Sequence, residues 1–205
     1  MAILQNRLTG QEEPAEVVSP IERFDVDCYT ASWLPVLDAA IADLKNTGQY
    51  TRQGIAQRNV EDAHWLWPEK VKQRSGQLQW ESYALRCDGQ TQGLMFLDML
   101  RRCRIPAQKN LHLVYIDLVS TAPWNRPGLN PQPLYRGVGG VLVAEAILHS
   151  EAEGFGGRIG LHALPRAEAY YRDQWKMESL GRDPNYSNLL YFELTMERAT
   201  EFFSP

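Results

Sequence analysis

In the stretch ASWLPVLDAAIADLKNTG the apolar residues Trp33, Leu34, Leu37, Ile41 and Leu44 recur at helical spacing, with Ser32 placed to cap, Pro35 in the first turn and Gly48 at the stop. A short apolar stretch, FDVDCY, precedes it. A second helical region runs from about Thr51 to Gln73, carries Ile55, Val60, Trp65 and Trp67, and is interrupted by Pro68. Then the period changes. QWESYALRC and TQGLMFLDML flank Asp88-Gly89, a hairpin signal, and LHLVYIDLVST supplies a third antiparallel strand after the turn at Pro106 to Asn110. Beyond the Pro-rich loop APWNRPGLNPQP, the stretch from about Val138 to Glu153 is apolar almost all round in its first half, which demands burial between layers. Gly154, Gly156 and Gly157 end it. RIGLHAL reads as a strand, PRAEAYYRDQW as a short helix, and LLYFELTMERATEFF begins as a closing strand. This order predicts a mixed α/β layer architecture. By contrast, Gln11 to Pro20 shows no periodicity, so residues 1–20 are expected as an N-terminal arm, mobile or laid over the surface, and 21–205 as a single domain.

Composition narrows the function. The 205 residues, 44% apolar and 22% charged, suffice for one core. Twenty-one Lys and Arg against 25 Asp and Glu give a net charge of −4, so no global positive field is available to neutralise phosphates and nucleic acid is excluded as a partner. No apolar run approaches the ~20 residues that span a bilayer, and MAILQNRLTGQEEP turns polar too soon for a signal peptide, so a cytoplasmic setting without membrane contact is expected. Cys28, Cys87 and Cys103 form no CxxC pair and read as reduced thiols. His64, His112, His149 and His162 show no ligand spacing, so no metal site is expected. No GxSxG elbow is present to support a hydrolase.

The most informative stretch is Leu134 to Leu142, LYRGVGGVL, with three glycines before a buried helix. Such a loop lets backbone N–H groups approach an anion at the positive end of a helix dipole. A P-loop needs Lys and Ser or Thr after the last glycine, where Val141 and Leu142 stand. A dinucleotide fingerprint needs glycine at position 142 and an acidic residue ~20 positions on, near Gly160, Leu161 and His162. Neither fits.

Arg136, Gly137, Val138, Gly139, Gly140, Val141 instead resembles the Q/R-x-x-G-x-G/A loop of the GNAT superfamily of acetyl-CoA-dependent N-acetyltransferases, with Val141 where Gly or Ala is usual. Upstream, YIDLVSTAP is similar to the family's fourth strand and its Val-x-Pro-like step, with Thr121 and Pro123 in those places. Downstream, LPRAEAYYRDQWKM is similar to the N-x-x-A-x-x-F-Y-x-x-x-G-F helix through Ala167, Tyr170 and Tyr171, with Leu164 for Asn and Trp175, Lys176 and Met177 for the Gly-Phe ending. The resemblance covers roughly residues 79 to 203. It implies a mixed, mostly antiparallel central sheet, flanked by helices and splayed between its fourth and fifth strands, where the pantetheine arm of acetyl-CoA inserts beside Val119 and Thr121. The pyrophosphate would rest on the N–H groups of Gly137, Val138, Gly139, Gly140 and Val141, next to Arg136.

Acetyl transfer to an amine needs a neutral amine and a protonated leaving thiolate. Tyr171 matches the position from which the family often protonates the thiolate; otherwise it is a packing residue. Asp117 shares strand parity with Val119 and Thr121. There the family often has a carboxylate that deprotonates the amine through a water, and a structural hydrogen bond is the alternative. Glu81 is an exposed sheet residue or faces the acceptor. Arg101, Arg102 and Arg104 form a basic cluster, joined by Arg126 and Arg136 if the loops meet, which is either a solvated turn or a contact to the coenzyme's 3′-phosphate or an acidic partner. The function expected is N-acetyl transfer to an amine-bearing small molecule or peptide by direct attack in a ternary complex. The alternative is a coenzyme-A-binding module without turnover. A toxin acetylating aminoacyl-tRNA is disfavoured by the acidic balance, and a homodimer is left open.

Overall fold

The structure, a computed structural model, describes residues 2–203. Its strands are β1 (Ala2–Asn6), β2 (Glu12–Val18), β3 (Trp80–Cys87), β4 (Gln90–Asp98), β5 (Val114–Thr121), β6 (Tyr135–Arg136), β7 (Ile159–Ala163), β8 (Glu178–Asp183) and β9 (Leu189–Leu194). Among the described residues they form one nine-stranded sheet in the order β6-β1-β2-β3-β4-β5-β7-β9-β8. The pairs β1/β2, β1/β6, β2/β3, β7/β9 and β8/β9 are antiparallel and β5/β7 is parallel, so the sheet is mixed and mostly antiparallel. The parallel register between β5 and β7 spans three pairs, from Val114↔Ile159 to Ile116↔Leu161, while β5 continues to Thr121 and β7 to Ala163. The helices are α1 (Arg23–Cys28), α2 (Leu34–Asn46), α3 (Arg52–Arg58), α4 (Trp67–Arg74), α5 (Val138–Ala152) and α6 (Met196–Phe203).

The chain divides into two compact units, through both of which β3, β4 and β5 run. The first, here the N-terminal unit, comprises Met1–Leu78, Ser82–Met95 and Val119–Leu142. The expected helix at Trp33 starts earlier: α1 passes through a π-helical turn, Tyr29–Trp33, directly into α2. Ser32 therefore lies inside that turn and does not cap. Pro68 opens α4 instead of interrupting a helix, because a first-turn proline lacks only an N–H that would have no partner anyway. Thr51 caps α3 by accepting the Gly54 N–H at 3.1 Å. The aromatic core stacks edge to face, Tyr29 on Trp33 at 5.7 Å and Trp33 on Trp124 at 6.3 Å between ring centroids.

Residues 2–18 are not an arm. Leu4 and Asn6 of β1 and Ala15 of β2 are buried, and the two strands pair from Ala2↔Ala15 to Gln5↔Glu12. Asn6 makes the connection, its side-chain oxygen accepting the N–H groups of Leu8 and Thr9 at 3.0 and 3.2 Å. The sequence conceals this hairpin because Pro14 and three glutamates occupy β2, and proline argues against a strand.

The second, C-terminal unit comprises Gln79–Glu81, Phe96–Leu118 and Val143–Pro205. Its core includes Leu113, Ile147, Ile159, Leu161, Phe192, Leu194 and Ala199, all buried. The segment expected as a short helix after β7 is a 3-10 turn, Pro165–Ala167, followed by a π-helical turn, Tyr170–Gln174. Among the described residues no helix is long and apolar enough to cross a membrane.

Candidate functional site

In the N-terminal unit the glycine loop is built by the hairpin at the chain's start. β6 pairs with β1 at Gln5↔Arg136 and Asn6↔Tyr135. The Tyr135 hydroxyl donates to Glu13 Oε2 at 2.6 Å, and Glu13 also accepts from Asn6 Nδ2 at 2.6 Å. The Arg7 N–H donates to the Leu134 carbonyl at 2.8 Å. These contacts fix the chain up to Arg136, which is exposed. Gly137 then turns with φ +102°, where an added Cβ would find room, its nearest neighbour being Leu4 Cδ2 at 3.7 Å, but the backbone conformation is one that L residues rarely adopt. From Val138 the chain is helical. The Val141 N–H donates to the Gly137 carbonyl at 2.9 Å, the first bond of α5, so the amides of Val138, Gly139 and Gly140 precede the intrahelical ladder.

Packing brings this turn to β5. An added Cβ on Gly93 of β4 would lie 2.8 Å from Leu142 Cδ1, 2.9 Å from Val138 Cγ1 and 3.4 Å from the Ser120 carbonyl oxygen. Gly93 thus lets the first turn of α5 approach the strand where Ser120 also reaches it. Along β5, Leu118 and Ser120 are buried whereas Asp117, Val119 and Thr121 are half-buried, so the parity expected for those three holds. The loop after β5 is held by Gln92, whose side-chain oxygen accepts from Trp124 Nε1 at 2.8 Å and Asn125 Nδ2 at 2.9 Å.

Arg126 does not belong to a basic cluster. It is buried, donates through Nη1 and Nη2 to Asp62 at 2.6 and 2.8 Å, and donates to the carbonyls of Thr121 and Asn59 at 2.7 and 3.1 Å. Ser120 Oγ donates to the same Asp62 carboxylate at 2.6 Å. This network clamps the end of β5.

In the C-terminal unit, Asp117 lies on β5 and Tyr171 in the π-helical turn. Tyr171 is buried against Phe192 and Tyr170, with ring centroids 6.2 and 5.4 Å away. Burial raises its phenol pKa above the ordinary value, which holds it protonated at neutral pH. Lys176 takes φ +51°, so the left-handed turn that glycine favours is made there by a lysine. The same unit contains a constellation that sequence reasoning missed. The Tyr115 hydroxyl meets His162 Nδ1 at 2.7 Å, His162 Nε2 meets Asp183 Oδ2 at 3.2 Å, and that oxygen accepts from Arg104 Nη1 at 2.7 Å. The one sequence signal for it is the cluster Arg101, Arg102, Arg104. Among the described residues no group of three or more His, Cys, Asp and Glu is placed to hold a metal ion.

No protein-family model matches the sequence, and no curated protein matches it. Solved structures match it by shape. A protein assigned to the GNAT family of acetyltransferases, from Desulfovibrio desulfuricans, aligns with a TM-score of 0.53 at 11% identity, over 89% of this chain and 99% of its own. The fold is that of the GNAT acetyltransferases. The GNAT-like likeness extends to the PaiA N-acetyltransferase of Thermoplasma acidophilum, solved with coenzyme A, at a TM-score of 0.50 and 10% identity over 87% of this chain and 98% of that one. A chain of the KacTA–DNA complex aligns at 0.52 and 17% identity, over 93% of this chain and 98% of its own.

Proposed function

We propose that the protein is an acetyl-CoA-dependent N-acetyltransferase. The observation that carries this reading is the opening turn of α5, where Gly137 at φ +102° presents the amides of Val138, Gly139 and Gly140 ahead of the helical ladder, packed through Gly93 beside β5. Three amides at the positive end of a 15-residue helix suit a pyrophosphate, with Val141 closing the turn and Arg136 adjacent. Val119 and Thr121, on the half-buried side of β5, take the pantetheine arm.

The amine attacks directly in a ternary complex. Its ammonium form gives one proton to Asp117, and the nitrogen bonds the acetyl carbonyl carbon as the C–S bond breaks. Tyr171 gives its proton to the leaving sulfur and regains one when the new amide nitrogen sheds its second proton. These two roles rest on the GNAT resemblance together with the burial that keeps Tyr171 protonated. The unpaired thiols of Cys28, Cys87 and Cys103 support a reducing, cytoplasmic setting.

The exclusion of nucleic acid is withdrawn. A protein of this fold is found in a complex with DNA, and net charge is a sum that says little about a local cluster such as Arg101, Arg102 and Arg104. The charge argument against an aminoacyl-tRNA acceptor falls with it.

The test is to add acetyl-CoA and a panel of amines while following melting temperature and thiol release. Acetyl-CoA raises the melting temperature by preferential binding to the native state, and Gly139→Trp abolishes that shift. A shift retained in Gly139→Trp removes the loop from the site. A shift without thiol release from any amine assigns the protein to the alternative, a coenzyme-binding module.

A further inference from the structure

The C-terminal unit carries a partly open cavity of about 250 Å³ lined by Leu100, Arg101, Arg102, Arg104 and the tyrosines 115, 186 and 191. Each arginine is anchored from behind. Arg101 Nε donates to Asp98 Oδ2 at 2.7 Å, Arg104 Nη1 to Asp183 Oδ2 at 2.7 Å, and Arg102 Nη1 to the Asn110 carbonyl at 2.8 Å. The Arg101 guanidinium lies 5.1 and 5.7 Å from the ring centroids of Tyr115 and Tyr186, and that of Arg104 lies 4.0 Å from Tyr191. A guanidinium has five N–H donors, so these anchors fix the planes and leave donors over.

The acids behind the wall are already engaged. Asp98 Oδ1 accepts from Gln79 Nε2 and the Leu100 N–H at 3.1 and 3.0 Å. Glu193 accepts the N–H groups of Arg104 and Ile105 at 2.6 and 3.0 Å and the Tyr191 hydroxyl at 2.8 Å. Asp183 accepts from Arg104, from His162 and from the Asn185 N–H at 3.0 Å.

The tyrosine oxygens follow from proton bookkeeping. The Asp183 carboxyl is held below its ordinary range by the hydrogen bond from Arg104, so it is ionised and requires a hydrogen on His162 Nε2. Burial pushes the His162 imidazole below its ordinary value, so the ring is neutral and its Nδ1 is an acceptor. The Tyr115 hydroxyl must therefore donate to Nδ1, as the Tyr191 hydroxyl donates to Glu193. With their hydrogens committed, both oxygens offer only lone pairs. A cavity that combines surplus guanidinium donors with hydroxyl acceptors complements a ligand carrying an anion and an amine.

We propose that this cavity binds the acceptor, and that the acceptor is a small primary amine bearing a carboxylate, the carboxylate held by the arginines and the nitrogen by the tyrosine oxygens. This rests on the acetyl-transfer reading above. Asp117, the base in that reading, stands two residues from Tyr115 on the same side of β5, and its charge is felt at the Tyr115 phenol.

The experiment compares matched pairs, phenylalanine against phenethylamine and leucine against isoamylamine, by thiol release. The carboxylate member of each pair is expected to have kcat/KM about tenfold or more higher, as charge-assisted hydrogen bonds imply. Arg102→Gln, which loses one exposed side chain held by a single carbonyl, narrows that ratio toward one while the acetyl-CoA melting shift stays. Equal kcat/KM within each wild-type pair, or a ratio unmoved by both Arg102→Gln and Arg101→Gln, overturns the cavity and keeps acetyl transfer. Calorimetric titration of phenylalanine without acetyl-CoA separates the other case. Binding that Arg102→Gln weakens, with no thiol released from any amine, keeps the cavity as a carboxylate-amine site and overturns the transfer reading.

Discussion

Two polar networks attach to β5, one in each unit, and they differ in whether they reach solvent. In the N-terminal unit Asp62 takes two bonds from Arg126 and one from Ser120, while Arg126 also reaches two carbonyls, and the side chains are only 9% and 4% exposed. In the C-terminal unit Tyr115, His162, Asp183 and Arg104 form a chain whose last member is 45% exposed and lines a cavity. The closed network fixes a strand end, with four of the five Arg126 N–H donors engaged and both side chains shut away from solvent. The open one is as well ordered at its buried end but leaves donors and lone pairs where a small molecule fits. On this contrast the first is scaffold and the second recognises.

The largest effect comes from breaking the closed network. Asp62→Asn leaves the Arg126 charge buried without its carboxylate, and loss of one partner of a buried pair costs about 3–5 kcal/mol. Urea unfolding should show a lower midpoint at unchanged slope. A loss under about 1 kcal/mol, the range of exposed pairs, would dissolve the contrast between the networks.

Tyr171 sharpens the contrast from another side, because it is as buried as the scaffold yet is assigned chemistry. Tyr171→Phe keeps the packing on Phe192 and Tyr170 and removes the proposed acid. Turnover should fall about 10²-fold, or roughly 2.7 kcal/mol, with the acceptor KM little changed. A Phe variant as fast as wild type rejects the role and leaves Tyr171 a packing residue.

How far the sequence reveals these regions depends on what each demands of local chemistry. The turn between β3 and β4 requires positive φ at Asp88 and Gly89, 50° and 65°, and few residues besides Asp and Gly supply it, so the hairpin is legible. α5 is legible because no residue from 138 to 147 is exposed and the chain there is correspondingly apolar. β8 is not, since none of its six residues is buried and its burial does not alternate as a strand's does. The turn at Gly137 is legible as a glycine-dependent loop before a helix, since its φ of +102° is one that L residues rarely adopt. The cavity is not, because Arg101, Tyr115, His162, Asp183 and Tyr191 come from separate segments that only tertiary pairing assembles. The roles proposed for Tyr171 and Asp117 come only from family resemblance, because a local pattern does not distinguish a catalytic tyrosine from a packed one.

A smaller effect tests the loop as scaffold. Gly137→Ala has room for its Cβ, so its cost is backbone strain alone, about 1–2 kcal/mol for an L residue at positive φ. If the turn relaxes to relieve that strain, the amides of Val138 to Gly140 move and the acetyl-CoA melting shift shrinks. Unchanged stability and an unchanged shift would mean that the positive φ at Gly137 is not needed to present them.

The smallest effect bears on the open network, and its sign follows from His162. An unfolded histidine titrates near ~6.5, whereas burial lowers the folded value below this, against the opposing pull of Asp183 and with Arg104 and Arg101 adding to the lowering. As pH falls through ~6.5 the unfolded chain takes up a proton that folded His162 refuses, so stability decreases between that point and the folded pKa and is flat above it. The contribution of His162 is the difference between wild type and His162→Gln measured from pH 7.5 to about 5.5. The ring itself, followed by NMR, should titrate below ~6.5, and Tyr115→Phe should move that midpoint upward by deleting the donor that favours the neutral form. A wild-type midpoint well above ~7 would keep the ring doubly protonated at neutral pH and make His162 Nδ1 a donor. Tyr115 would then have to turn its lone pair toward the ring and its hydrogen toward the cavity, and the wall that recognises an amine would become one that repels it.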